Sequence, residues 1–305
     1  MNRETYDTVS SYISQKIVDC NFKISKVFDD KDSFGDIDII IDSEDLEKCI
    51  VSLEPIERVK NGNTTSLGIA FESAIIQVDL VCVHSSKIDT VHAYMSFGFF
   101  GMSVGIPLAR QNLIYGSQGL ETKEERVNLS TDPAKILAFL GIDLSGVKTP
   151  SDLIVALGAS KIDLSILAKS AHKYERLKNM QGLFERAAEG QMINAPQRSD
   201  DMKAQAIDYF GKRAQVDEAI RKTNQKKEIA AKFNGKIVME ATGLTEGEEL
   251  GKYMTKLRRE VFTDASLFVL TPEEIRAKIC GDFTPTPPDR GLAPPDPPSS
   301  IDLCQ

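Results

Sequence analysis

The sequence predicts an α+β fold, a mixed β-sheet with helices followed by a mostly α-helical part, and three observations predict it. Residues 4–19 carry apolar side chains at helical spacing, and runs of β-branched residues then follow up to about residue 83. Beyond about residue 125 strand signals fade and capped helix starts take over. The last stretch loses its large apolar residues and fills with proline. These shifts divide the chain into an N-terminal sheet domain (1–125), a helical domain (126–283) and a Pro-rich tail (284–305).

Tyr6, Val9, Ile13 and Ile17 form the apolar stripe of the first helix. Strands are expected at 22–27, 36–42, 66–72 and 74–83, with a weaker one at 55–59. Between the second and third strong runs, Asp42 and Ser43 are expected to cap a helix. Its first turn holds Glu44 and Asp45, and its buried face holds Leu46, Ile50 and Leu53. Asn61-Gly62-Asn63 supplies the turn into the final strands, so the start reads αββαβββ. Ser96–Gly105 is glycine-rich and aromatic, but it does not follow a strand and open a helix as a phosphate cradle does. It reads as a packed connection.

Asp132 caps and Pro133 opens the first helix of the second part. Helical patterns continue at 151–157, 163–188 and 200–232, with Tyr174, Leu177, Met180 and Phe184 as a core stripe. Thr271-Pro272-Glu273-Glu274 is a capping box, and Gly281 stops that helix. Seven of the thirteen prolines fall within 284–305, where an extended, disordered tail is expected. Its Pro-Pro pairs suit an aromatic groove on a protein partner.

Composition narrows the function classes. A chain of 305 residues with 41% hydrophobic content buries a sizeable core. It has neither the roughly 18 uncharged apolar residues of a spanning helix nor a basic start followed by an apolar block at Met1–Cys20. A soluble, cytoplasmic protein with no membrane partner is expected. Five scattered cysteines and three separate histidines (His84, His92, His172) argue against a disulfide framework, a zinc site or a Ser-His-Asp triad. A net charge of -8 excludes a coat of nucleic acid over the whole surface but permits a local basic groove. One candidate is Arg221, Lys222, Lys226 and Lys227 on a helix where Asp217 and Glu218 interleave, and Arg110 is a second.

The chemistry lies in Gly35-Asp36-Ile37-Asp38-Ile39-Ile40-Ile41 and Ile75-Ile76-Gln77-Val78-Asp79-Leu80-Val81. Strand alternation sets Asp36 and Asp38 on one face, where two carboxylates repel unless a cation or a proton lies between them. Asp79 interrupts an apolar run, and a lone acid in a buried strand is costly unless paired or ligated. If the strands are neighbours, all three acids reach one pair of divalent cations, and hard Mg²⁺ (or Mn²⁺) suits oxygen ligands. Two such ions about 3.5–4 Å apart orient phosphates and activate an attacking hydroxyl. Asp36 and Asp38 would bridge both ions, and Asp79 would hold the one at the nucleophile.

Gly35-Asp36-Ile37-Asp38 with its Ile run, and Gln77-Val78-Asp79-Leu80 downstream, resemble the nucleotidyltransferase superfamily of DNA polymerase β, CCA-adding enzymes and poly(A) polymerases. With Tyr115-Gly116-Ser117-Gln118-Gly119-Leu120, they look most like phage-encoded members. Gly243–Gly251 leading into Tyr253–Leu257 is similar to the turn that opens a late helix in CCA-adding enzymes. The resemblance implies a nucleotidyltransferase-type sheet over 1–125 and a helical substrate-binding domain. It implies Mg²⁺-dependent transfer of a nucleoside monophosphate from a triphosphate to a hydroxyl, with a tRNA-like RNA 3′ end as acceptor, and a host cytoplasm if phage-encoded. The superfamily's Gly-Ser pair is absent: residues 25–32 read SKVFDDKD. Ser25, Lys26, Lys31 and Gly35 stand in for it as triphosphate contacts, while Asp29, Asp30 and Asp32 are solvated. The missing pair keeps two alternatives open: the same chemistry on a protein or small molecule, or a catalytically silent binding member.

Overall fold

The computed structural model describes residues 1–194, 201–263 and 277, and has two compact units, Met1–Ala219 and Ile220–Gln305. It is mixed α and β. The first unit begins with α1 (Arg3–Lys16), β1 (Phe22–Ile24), β2 (Asp36–Asp42), α2 (Leu46–Leu53), β3 (Glu57–Asn61), β4 (Thr64–Phe71) and β5 (Ala74–Val83). The strands form one sheet in the order β1-β2-β5-β4-β3. All neighbours are antiparallel except β2 and β5, which run parallel through the α2-β3-β4 crossover.

Period-two alternation gives each strand two different faces. Ile37, Ile39 and Ile41 of β2 and Ile76, Val78 and Leu80 of β5 face Tyr6, Val9 and Ile13 of α1 and Cys49, Ile50 and Leu53 of α2, all buried. On the opposite face, Ile40 packs with Ile88 and Val91 of α3 (Ile88–Met95), with Val81 beside them. That cover is short, so the earlier residues on this face, Asp36, Asp38 and Asp79, stay only half-buried. The acid-bearing face of β5 is therefore open, not enclosed on both sides as its apolar run suggested. The cap of α2 also differs from expectation. The helix starts after Asp45, and Asp42 instead accepts from the Glu44 amide in the preceding turn.

Ser96–Gly105 proves to be only partly a connection, since α4 runs from Phe100 to Arg110. Its glycines have a packing reason. A Cβ on Gly101 would lie 2.4 Å from the Tyr94 carbonyl and ring, so only glycine allows α4 this close to α3. Next come β6 (Leu113–Gly116), β7 (Gly119–Thr122) and β8 (Asn128–Ser130), a three-stranded antiparallel sheet that the strand runs did not foretell. The Tyr115–Leu120 segment is its first hairpin.

The expected helix at Pro133 is α5 (Pro133–Leu140), with the Asp132 side chain accepting from the Ala134 and Lys135 amides. α6 (Pro150–Gly158) has a capping box between Thr149 and Asp152. The stretch 163–188 is broken into α7 (Leu164–Ser170), a single turn at Ala171–Lys173, α8 (Glu175–Lys178) and α9 (Gln181–Asn194). Leu177 and Phe184 are fully buried, but Tyr174 lies outside that stripe, in the break. The stretch 200–232 divides at Gly211, whose φ of 64° ends α10 (Met202–Tyr209) before α11 (Arg213–Lys232).

One apolar cluster runs from Phe28 and the 97–108 region through Leu113–Leu129 to Val216, so it joins residues on both sides of position 125. Lys203 adds an ion pair with Glu125 at 2.7 Å; burial pushes that carboxyl up, but the bonds from Lys203, its own backbone and Thr122 outweigh it and hold it below the usual range. In the second unit, α12 (Gly235–Thr242) and α13 (Glu248–Thr263) pack Val238, Leu250, Leu257 and Val261 with Ile229 of α11 and Phe233 just after it. The glycine segment 243–251 is a loop and helix start as expected, with Gly243 left-handed after α12. The capping box at 271–274 and the Pro-rich tail lie outside the described residues. Among the described residues no single helix is long and apolar enough to cross a membrane.

Candidate metal centre

Position along β2 decides what Asp36 and Asp38 can do. Phe34, just before them, is pinned by stacking on Tyr6 at 4.1 Å and by hydrogen bonds in both directions with Met1. The strand then starts at Asp36, with Ile37 and Ile39 anchored in the core and the two acids on the opposite side. β5 lies alongside in parallel register, Asp36 opposite Gln77 and Asp38 opposite Asp79. Each of Asp36, Asp38 and Asp79 offers one carboxylate oxygen, and these oxygens lie within 4.8 Å of one another. The three acids that the sequence singled out meet on one face of neighbouring strands, in an arrangement able to hold a metal ion.

The electrostatics fit a cation-binding role. Asp38 is pushed up to about 6, first by burial and then by the negative charges of Asp36 and Asp79, with Arg176 and Lys31 opposing. Three carboxylates crowded together disfavour full ionisation, and a divalent cation removes that repulsion. Gln77 donates to one Asp79 oxygen at 3.1 Å, which helps to fix its orientation.

No protein-family model and no curated protein matches the chain. The chemistry of the site therefore rests on its own geometry.

The four expected triphosphate contacts fare differently. Lys31 stands close enough to lower Asp38, with its ammonium over the Phe34 ring at 4.7 Å. Gly35 faces open space: a Cβ there would meet nothing within 4 Å. Lys26 is exposed, and its carbonyl accepts from Phe97. Ser25 is 6% exposed; its hydroxyl donates to the Met95 carbonyl at 3.2 Å and its amide to the Asp38 carbonyl at 2.9 Å. Asp29, Asp30 and Asp32 are exposed, as expected of solvated loop acids.

Arg176 on α8 was not anticipated. Its guanidinium acts on Asp38 and donates to the Gly98 carbonyl at 3.4 Å, bringing a second cation to the acids. No sequence signal marks it, because it lies far along the chain on a four-residue helix whose placement depends on the folded core. Of the remaining candidates, Arg110 ends α4 and borders a cleft lined with three lysines. Arg221, Lys222, Lys226 and Lys227 are exposed on the part of α11 belonging to the second unit, with the Lys226 ammonium over the Phe262 ring at 5.2 Å.

Proposed function

We propose that this chain is a nucleotidyltransferase of the polymerase β and CCA-adding type, moving a nucleoside monophosphate from a triphosphate to a hydroxyl. The observation that carries this reading is the parallel β2/β5 register, which sets Asp38 opposite Asp79 with Asp36 on the same face. Mixed-sheet topology, an acid pair opening one strand and a third acid on its parallel neighbour support the nucleotidyltransferase-type fold. In the reaction an acceptor oxygen bonds to the α-phosphorus as the α–β bridging P–O bond breaks, pyrophosphate leaves, and the acceptor proton passes to Asp79.

Asp36, Asp38 and Asp79 would hold Mg²⁺, with Mn²⁺ as a substitute, and when bound the metal supplies charge neutralisation and activation of the hydroxyl. In place of the missing Gly-Ser turn, Arg176 and Lys31 provide positive charge for the triphosphate, a guanidinium being well matched to phosphate oxygens. The acceptor class favoured here is an RNA 3′ end. The test incubates the protein with Mg²⁺, each α-labelled triphosphate in turn, and total RNA. Label on RNA is the expected result. Label on protein would transfer the chemistry to another acceptor, and no label with any triphosphate would leave a silent binding member.

A further inference from the structure

We infer that the cleft bordered by Arg110 is a binding groove for single-stranded nucleic acid and receives the strand whose end is extended; this deepens the transferase reading and rests on it. The cleft lies within the first unit and has a volume of about 800 Å³. Four cations line it, Arg110 from α4, Lys123 after β7, and Lys169 and Lys173 from α7 and the turn that follows. No acidic residue lines it, although the chain as a whole carries a net charge of -8. Among the described residues Arg110, Lys169 and Lys173 form no ion pair, and the Lys123 ammonium donates only to the Ala109 carbonyl at 3.3 Å. Positive charges at separate positions around a cleft suit successive phosphates along a strand.

The lining also suits bases. Tyr174 is 37% exposed and presents a ring for stacking, while Tyr94 and Tyr115 meet edge to face at 5.6 Å below. Tyr115 is 5% exposed, and its buried hydroxyl has no hydrogen-bond partner among the described residues. A buried hydroxyl without a partner is costly, and a ligand that reaches it removes the penalty. Burial also pushes that phenol well above its ordinary range, so it remains a neutral donor.

One short segment connects the cleft with the electrostatic surroundings of Asp38. Tyr174 lines the cleft and Arg176, two residues on, acts on Asp38. Two residues span at most about 7 Å of backbone, so one short segment serves both places. A metal-bound triphosphate has Lys31 and Arg176 as its cations, which leaves the four cleft cations for the other substrate.

The test measures anisotropy of a labelled ten-nucleotide single-stranded RNA with the full chain in EDTA, where no transfer occurs, so groove binding is read independently of catalysis. Wild-type protein is expected to bind at low salt. Arg110→Gln/Lys169→Gln should weaken binding at least tenfold and flatten the slope of log affinity against log salt by about 0.7 for each lost phosphate contact. Lys123→Gln/Lys173→Gln, on different elements, provides a second variant should the first melt early. Tyr174→Ala should weaken binding severalfold without changing the slope. Lys16→Gln/Lys60→Gln, both exposed and outside every site named above, removes equal charge elsewhere and should stay within about twofold of wild type. The groove assignment is overturned if wild-type protein leaves the RNA free at low salt, or if Lys226→Gln/Lys227→Gln on the rival basic helix α11 loses binding while both cleft variants keep it. Displacement of the RNA by ATP at equal nucleotide concentration would overturn it in favour of a mononucleotide site.

Discussion

Asp36→Ala should lower metal-dependent transfer by about a thousandfold or more, because removing one ligand forfeits several kcal/mol of charge stabilisation and each 1.36 kcal/mol is tenfold in rate. The fold should survive. Asp36 is half-exposed at the first position of β2, and the strand is held by Ile37, Ile39, Ile40 and Ile41, all fully buried. Asp79→Ala should lose as much, since it removes the contribution of the neighbouring strand. Single-turnover rates with saturating Mg²⁺, set beside circular dichroism of each variant, check this. Transfer at the wild-type rate by Asp36→Ala protein would place the chemistry elsewhere.

Asp38→Asn should have the opposite effect on stability, making the metal-free protein more stable as it disables the site. Its carboxyl titrates near 6 rather than the ordinary 3.8, chiefly through burial and the adjacent Asp36 and Asp79. A raised carboxyl pKa means that the folded state holds this proton more tightly than the unfolded state does. Stability therefore falls as pH rises from about 4 through 6, and the full penalty is present above 6. The asparagine variant avoids that penalty, so at pH 7.5 without metal it should be more stable by about 1–2 kcal/mol after allowance for solvent screening. Toward pH 2.5, well below the ordinary 3.8, Asp38 is protonated in both states and the melting temperatures of the two proteins should converge. Adding Mg²⁺ at pH 7.5 should raise the melting temperature of the wild type and narrow or reverse the gap. An asparagine variant that melts below the wild type in EDTA at pH 7.5 would contradict the crowded-carboxylate description.

The site was legible in the sequence where chemistry follows from local pattern. Alternation around Ile37 and Ile39 fixes Asp36 and Asp38 on one face without knowledge of the fold, and a third acid in a later apolar run names its partner. What the pattern lacked was the context of β5. Its apolar run reads as buried on both faces, yet the α3 cover ends near Ile40 and leaves Asp79 half-exposed. The surroundings of Ser25 were equally hidden, since a serine in a loop does not announce that a distant carbonyl, here that of Met95, will take its hydroxyl.

Longer-range features were less legible still. The strands β6 to β8 are three or four residues each, too short for periodicity to register, and α4 carries glycines and a proline that read as a loop. Gly101 is explained only by its distance from Tyr94, which no window of sequence contains. Arg176 and the four cations of the cleft come from separate elements and are gathered by packing alone.

The most direct test of the central claim is a titration of Mn²⁺ followed by electron paramagnetic resonance, with a non-hydrolysable triphosphate present. Capture of about two ions per wild-type chain, and their loss in Asp36→Ala and Asp79→Ala proteins that remain folded, is the predicted result. Wild-type protein that leaves Mn²⁺ free at millimolar concentration, or variants that bind as many ions as the wild type, would contradict it.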